Sequence, residues 1–176
     1  IVDHYGMMHF FHNRSNGVIH ANGRDYTLNN ALTYYDHCWG RIPAKPGWHW
    51  IAVQNETAAI ASLVNYGPYA QLYTEVYFTA EVKSPRTGEW VRLSQTVSFE
   101  YMHKDKWDEV WHVTSPDMTL RVELLQMKTD RTFIPIFVNI WHTEIFVKIS
   151  GQIRVDGEWV ETGDMFGVME EQKGRW

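Results

Sequence analysis

The chain has 176 residues, a formal net charge of −5, 44% hydrophobic and 21% charged residues, and an aromatic share of 15% that includes nine Trp. That length fits one domain with a single contiguous core, and scattered basic residues under a negative net charge exclude the electrostatic footprint of a nucleic-acid binder. No apolar run is long enough for a membrane-spanning helix, and Ile1-Val2-Asp3-His4 has neither the charged start nor the apolar centre of a signal peptide.

Along the chain, alternation of period two and turn chemistry dominate. Asn22-Gly23 suits a type I′ hairpin turn, whose two central residues both need positive φ, and is expected to join residues 17–21 to 24–35. Residues 41–47, with Pro43, Lys45, Pro46 and Gly47, read as a loop between strands. Residues 55–65 offer one or two helical turns by propensity, but a strand there keeps a meander going and is the expectation.

Within residues 73–82, Thr74, Val76, Phe78, Ala80 and Val82 fall on one face and form a candidate core, leaving Glu75 on the outward face. Thr87-Gly88 is expected to turn residues 73–83 into 89–101. Leu120, Val122 and Leu124 repeat the pattern. So do Ile145, Val147, Ile149, Gly151, Ile153 and Val155, with Asp156-Gly157 turning that strand into residues 158–161. The expected fold is all-β: one antiparallel, up-and-down, lipocalin-like barrel of eight to ten strands over residues 1–176. A lone Cys38 leaves no internal disulfide and suits a reducing compartment, which points to the cytoplasm.

The richest stretch is Tyr34-Tyr35-Asp36-His37-Cys38-Trp39-Gly40, followed by Gly47-Trp48-His49-Trp50. If extended, Tyr35, His37 and Trp39 share one face and Tyr34, Asp36 and Cys38 the other. Two readings stand side by side. In one, Asp36 or His37 transfers a proton, because a titratable group among Trp and Tyr rings is poorly solvated and its pKa moves toward neutrality. In the other, Asp36 binds backbone amides at the barrel rim, His37 is a satisfied core histidine and the Trp rings fill the barrel floor.

The run Asn16-Gly17-Val18-Ile19, Asn22-Gly23, Asp36-His37-Cys38-Trp39-Gly40 and Gly47-Trp48-His49-Trp50 resembles the carotenoid 1,2-hydratase (hydroxyneurosporene synthase) and lipocalin-like cyclase superfamily. The similarity is concentrated in the first third of the chain, with a looser match over residues 163–176. The resemblance implies a calycin-like barrel that binds a small hydrophobic, isoprenoid- or polyketide-like molecule and catalyses cofactor-free hydration, isomerisation or cyclisation. By position it implies Asp36 and His37 as catalytic residues and Tyr35, Trp39, Trp48 and Trp50 as substrate-binding walls. Relatives of that kind are commonly about twice this length. Residues 1–40 would then correspond to the end of a first barrel, with the partner barrel supplied elsewhere or by a second subunit. A non-catalytic carrier of a hydrophobic ligand is the rival expectation.

Nine His invite a metal, but His9 and His12 fall on opposite faces of an extended strand, and the others lack a recognised ligand spacing, so none is expected. His142 and Glu144 share a strand face, read as exposed, and Glu170-Glu171 reads as solvated surface. No serine-hydrolase elbow or phosphate-binding glycine loop is present.

Overall fold

The computed structural model describes residues 5–40, 47–64, 75–99 and 111–175. They form antiparallel strands: β1 (Tyr5–Ala21), β2 (Arg24–Gly40), β3 (Gly47–Gln54), β4 (Ala58–Val64), β5 (Glu75–Lys83), β6 (Trp90–Phe99), β7 (Trp111–Ser115), β8 (Met118–Ile134), β9 (Val138–Val155), β10 (Glu158–Glu161) and β11 (Met165–Arg175). From β3 to β9 each strand pairs with the next. β9 also pairs β11 and β11 pairs β3, so the row returns to its start and eight strands close into a calycin-like barrel. β10 lies beside β9 in line with β11, and the two are separated by a short break where the Thr162 N–H donates to the Gly151 carbonyl at 2.8 Å.

Alternation decides what goes inside. Ile145, Val147, Ile149, Ile153 and Val155 of β9 join Met118, Leu120 and Val122 of β8 and Phe78, Ala80 and Val82 of β5 in one buried cluster. Ile51, Val53, Ile60, Met165 and Met169 complete it from β3, β4 and β11. The outer wall carries charge instead: Lys148 donates to Glu123 across β8 and β9 at 3.0 Å, with Arg121 beside it. Among the described residues no helix is long and apolar enough to cross a membrane.

Two of the three expected tight turns form as read. Asn22 and Gly23 have φ of 51° and 70°, and Asp156 and Gly157 have φ of 52° and 83°. The third is wider: only Gly88 takes positive φ, and residues 84–89 close through Ser84 N–H to the Glu89 carbonyl at 2.8 Å. Residues 58–64 are strand, as expected. The loop over residues 41–46 and the core positions Thr74 and Val76 lie outside what the structure describes in full.

The first hairpin corrects the simple meander. β1 and β2 pair only with each other, as a two-stranded ribbon outside the barrel. A bulge between Phe10 and Asn13 puts His12 in the left-handed region at φ 57° and turns it onto the barrel. There its N–H donates to Gln54 Oε1 at 2.9 Å and its Nε2 lies 3.1 Å from the Asn55 carbonyl. Arg14 clamps the Glu56 carboxylate with both terminal nitrogens. Ala52, Ala59 and Ala61 are buried although they belong to the outer side of β3 and β4, and β1 lies against β4. Small side chains let a second layer approach the wall closely.

Candidate site at the seam between hairpin and barrel

Strand alternation splits the Asp36–His37 pair. Tyr35, His37 and Trp39 are exposed on the outward face of β2, where His37 stacks on Trp39 with ring centroids 5.8 Å apart and Tyr35 meets Phe10 at the same distance. The other face turns Tyr34 onto the barrel, while Asp36, two residues further along that face, is exposed. Tyr34 packs against Trp50 of β3 at 5.7 Å and against Phe11, from the His12 bulge, at 5.1 Å. Trp50 is 8% exposed and sits outside the inner cluster to which its neighbours Ile51 and Val53 belong. These residues therefore line a seam on the outer wall, and not the barrel cavity that the sequence suggested. Trp48 is also on β3, opposite Gln172, but its side chain lies outside the described residues.

β11 supplies the far side of the seam. Glu170 is the register partner of Trp50 on β3 and of Glu144 on β9, and Gln172 is that of His142. The electrostatics of Tyr34 tie the two sides together. Burial, first, pushes its phenol well above the usual tyrosine range. The Asp36 carboxylate adds to the rise, the polar edge of the Trp50 indole partly offsets it, and Glu170 adds a smaller push upward. The outcome is a phenol that stays neutral across the physiological range and keeps its O–H as a donor.

No protein-family model, curated protein or solved structure matches this chain.

Next to Glu170, the ring of His142 uses Nδ1 against Gln172 Oε1 at 3.1 Å, which leaves Nε2 turned to Glu144 at 4.0 Å. A ring whose Nδ1–H is held by an acceptor presents its Nε2 lone pair. His142, Glu144 and Glu170 each offer one ligand-capable atom, all within 4.8 Å of one another. The sequence placed His142 and Glu144 on one outward face, as found. It read Glu170 as solvated surface, whereas Glu170 is half-buried, opposite Trp50 of β3. The missed members are Tyr34, Glu170 and Gln172. Only Tyr34 carried a local signal, as the residue two before Asp36 on the same strand face.

Proposed function

We propose that the protein binds a small hydrophobic, isoprenoid- or polyketide-like molecule at this seam and catalyses its cofactor-free isomerisation, or the related hydration or cyclisation. The observation that carries the reading is a neutral phenol, Tyr34, packed against the Trp50 ring on the same strand face as the exposed Asp36 carboxylate. A carboxylate beside a neutral hydroxyl donor is the pairing that proton abstraction next to a carbonyl requires. The Asp36 carboxylate takes the proton from the carbon beside a ketone. The C–H electron pair moves through the new double bond to the oxygen, and the Tyr34 O–H holds that oxygen. The same proton then returns to a carbon further along the conjugated system. Atoms and charge balance without a co-reactant. Trp50, Tyr34 and Phe11 provide apolar walls for the remainder of the molecule.

The second reading is a carrier without turnover. It is favoured by the exposed aromatic ladder of Tyr35, His37 and Trp39, which offers ring faces for apolar contact along one side of the ribbon. Under the resemblance, this outward ladder is also where a second barrel or second subunit would meet the ribbon.

Binding of a β,γ-unsaturated terpenoid ketone, read by quenching of tryptophan emission, together with its conversion to the conjugated isomer, read by the absorbance of the product, tests both. Catalysis predicts that Asp36→Asn and Tyr34→Phe keep binding and lose turnover by two orders of magnitude or more, the usual scale for a positioned acid or base. Binding in the parent protein without product formation selects the carrier, and absence of both overturns the seam as a site.

A further inference from the structure

The end of the β8–β9 hairpin is the most apolar exposed feature of the described residues. Phe133, Ile134, Ile136 and Phe137 are 57%, 51%, 82% and 67% exposed. Phe137 N–H donates to the Ile134 carbonyl at 3.1 Å, Pro135 occupies the second turn position and Ile136 the third, with φ 73°. This is the pattern of a type II turn, whose third position calls for glycine. A β-branched residue in the left-handed region is strained. Packing within the described chain gives Ile136 almost nothing in return, because its side chain points into open solvent.

We propose that this tip is a wedge that inserts into the interfacial layer of a lipid bilayer. Three observations favour lipid over a protein partner. First, the apolar residues cover both faces of the ribbon and its end, since Phe133 and Ile134 point to opposite sides. A folded partner would meet one face, whereas a fluid medium surrounds all of them. Second, the next rung is a cation and aromatic belt. The Arg131 guanidinium stacks on Phe133 at 4.9 Å and on Trp141 at 4.6 Å, and its Nε donates to Asn139 at 3.1 Å. Trp and Arg at the boundary between apolar and charged zones is the arrangement that suits a membrane surface. Third, the charged groups begin directly behind the belt, with Lys128 paired to Asp130 at 2.7 Å. From the Arg131–Trp141 rung to the turn there are three residues of strand, about 10 Å at ~3.3 Å each, close to the depth reached by interfacial elements. The chain as a whole is negative, so the attraction is apolar and a zwitterionic surface suffices.

Co-sedimentation of the full chain with large unilamellar phosphatidylcholine vesicles tests this. The parent protein is expected to pellet with the vesicles, little affected by raising salt. Ile136→Asp with Phe137→Asp is expected to lower the bound fraction at least tenfold with an unchanged circular dichroism spectrum. Ile136→Gly, which relieves the turn, is expected to raise the thermal midpoint while weakening vesicle binding. The proposal is overturned if the parent stays in the supernatant, if the double variant still pellets, or if binding vanishes in salt. It is equally overturned if the parent is a dimer that the double variant abolishes while vesicles take up neither, because the tip would then be a contact between two copies of this chain.

Discussion

The imidazole of His12 lies 4.0 Å, centroid to centroid, from the indole of Trp90, and its Nε2 faces the Asn55 carbonyl at 3.1 Å. A carbonyl only accepts, so Nε2 carries a proton, while burial against the barrel disfavours the charged ring. The bulge in β1 places it there, and with it the whole outer ribbon.

Docking of the ribbon should consequently weaken in acid. Burial lowers the His12 pKa below its ordinary value of 6.5; the contact with Asn55, the charge of Glu81 and a weaker contact with Ala58 oppose the shift, and Arg14 reinforces it. The unfolded or undocked state therefore binds more protons between the two pKa values, and stability rises with pH across that window. The contribution is fully present above about pH 6.5 and is lost as pH falls through the depressed value. Thermal midpoints at pH 7.5 and 5.0 should differ more for the parent than for His12→Gln. Equal differences would remove His12 from the linkage.

Trp50 holds the seam together, since it is buried and its ring meets Tyr34. Trp50→Ala should cost about 3–5 kcal/mol in a denaturant titration, as is usual for emptying a buried large aromatic site. Trp50→Phe keeps most of the contact and should cost much less.

Much of this was legible in the residues, for a definable reason. A period of two reports which side chains share a face, so the split between Tyr34 with Asp36 and Tyr35 with His37 and Trp39 could be read directly, as could the inward row from Ile145 to Val155. Asn22-Gly23 and Asp156-Gly157 were legible because positive φ at two successive positions restricts the residues that fit. Periodicity does not report which sheet a strand joins. The ribbon of β1 and β2 was accordingly read into the barrel, and the seam residues into its cavity. The bulge at His12 shifts the register without leaving a glycine to mark it. Glu170 comes within electrostatic reach of Tyr34 only because β11 pairs β3 and sets it opposite Trp50, a relation between segments far apart in the chain.

The two faces of the wall should respond oppositely to truncation. Phe78 is fully buried inside the barrel, whereas Phe146 is about half exposed outside it. Phe78→Ala should cost about 3–5 kcal/mol, and Phe146→Ala, like most surface changes, about 0.5 kcal/mol or less. Chemical denaturation of the two variants checks the assignment of inside and outside. Comparable losses would show that the wall had been read the wrong way round.

Closure of the barrel makes its sharpest demand at Gly167, where β11 runs between β3 and β9. A Cβ built there would overlap the Ala52 carbonyl oxygen and crowd the backbone of Val53, whereas one at Gly23 in the ribbon turn would meet nothing. The two glycines are therefore required for different reasons. Gly23→Ala suffers only from its φ of 70°, a local cost of about 1–2 kcal/mol that leaves the barrel intact. Gly167→Ala has no comparable backbone strain but must push β3 and β11 apart, and overpacking between backbones costs about 1–3 kcal/mol or more. Because β11 is the strand that joins β9 to β3, the damage should spread through the ring. Amide exchange should accelerate on β3, β9 and β11 in Gly167→Ala and remain confined to residues near the turn in Gly23→Ala. Protection on β3 unchanged by the Gly167 substitution would contradict the register in which Gly167 faces Val53.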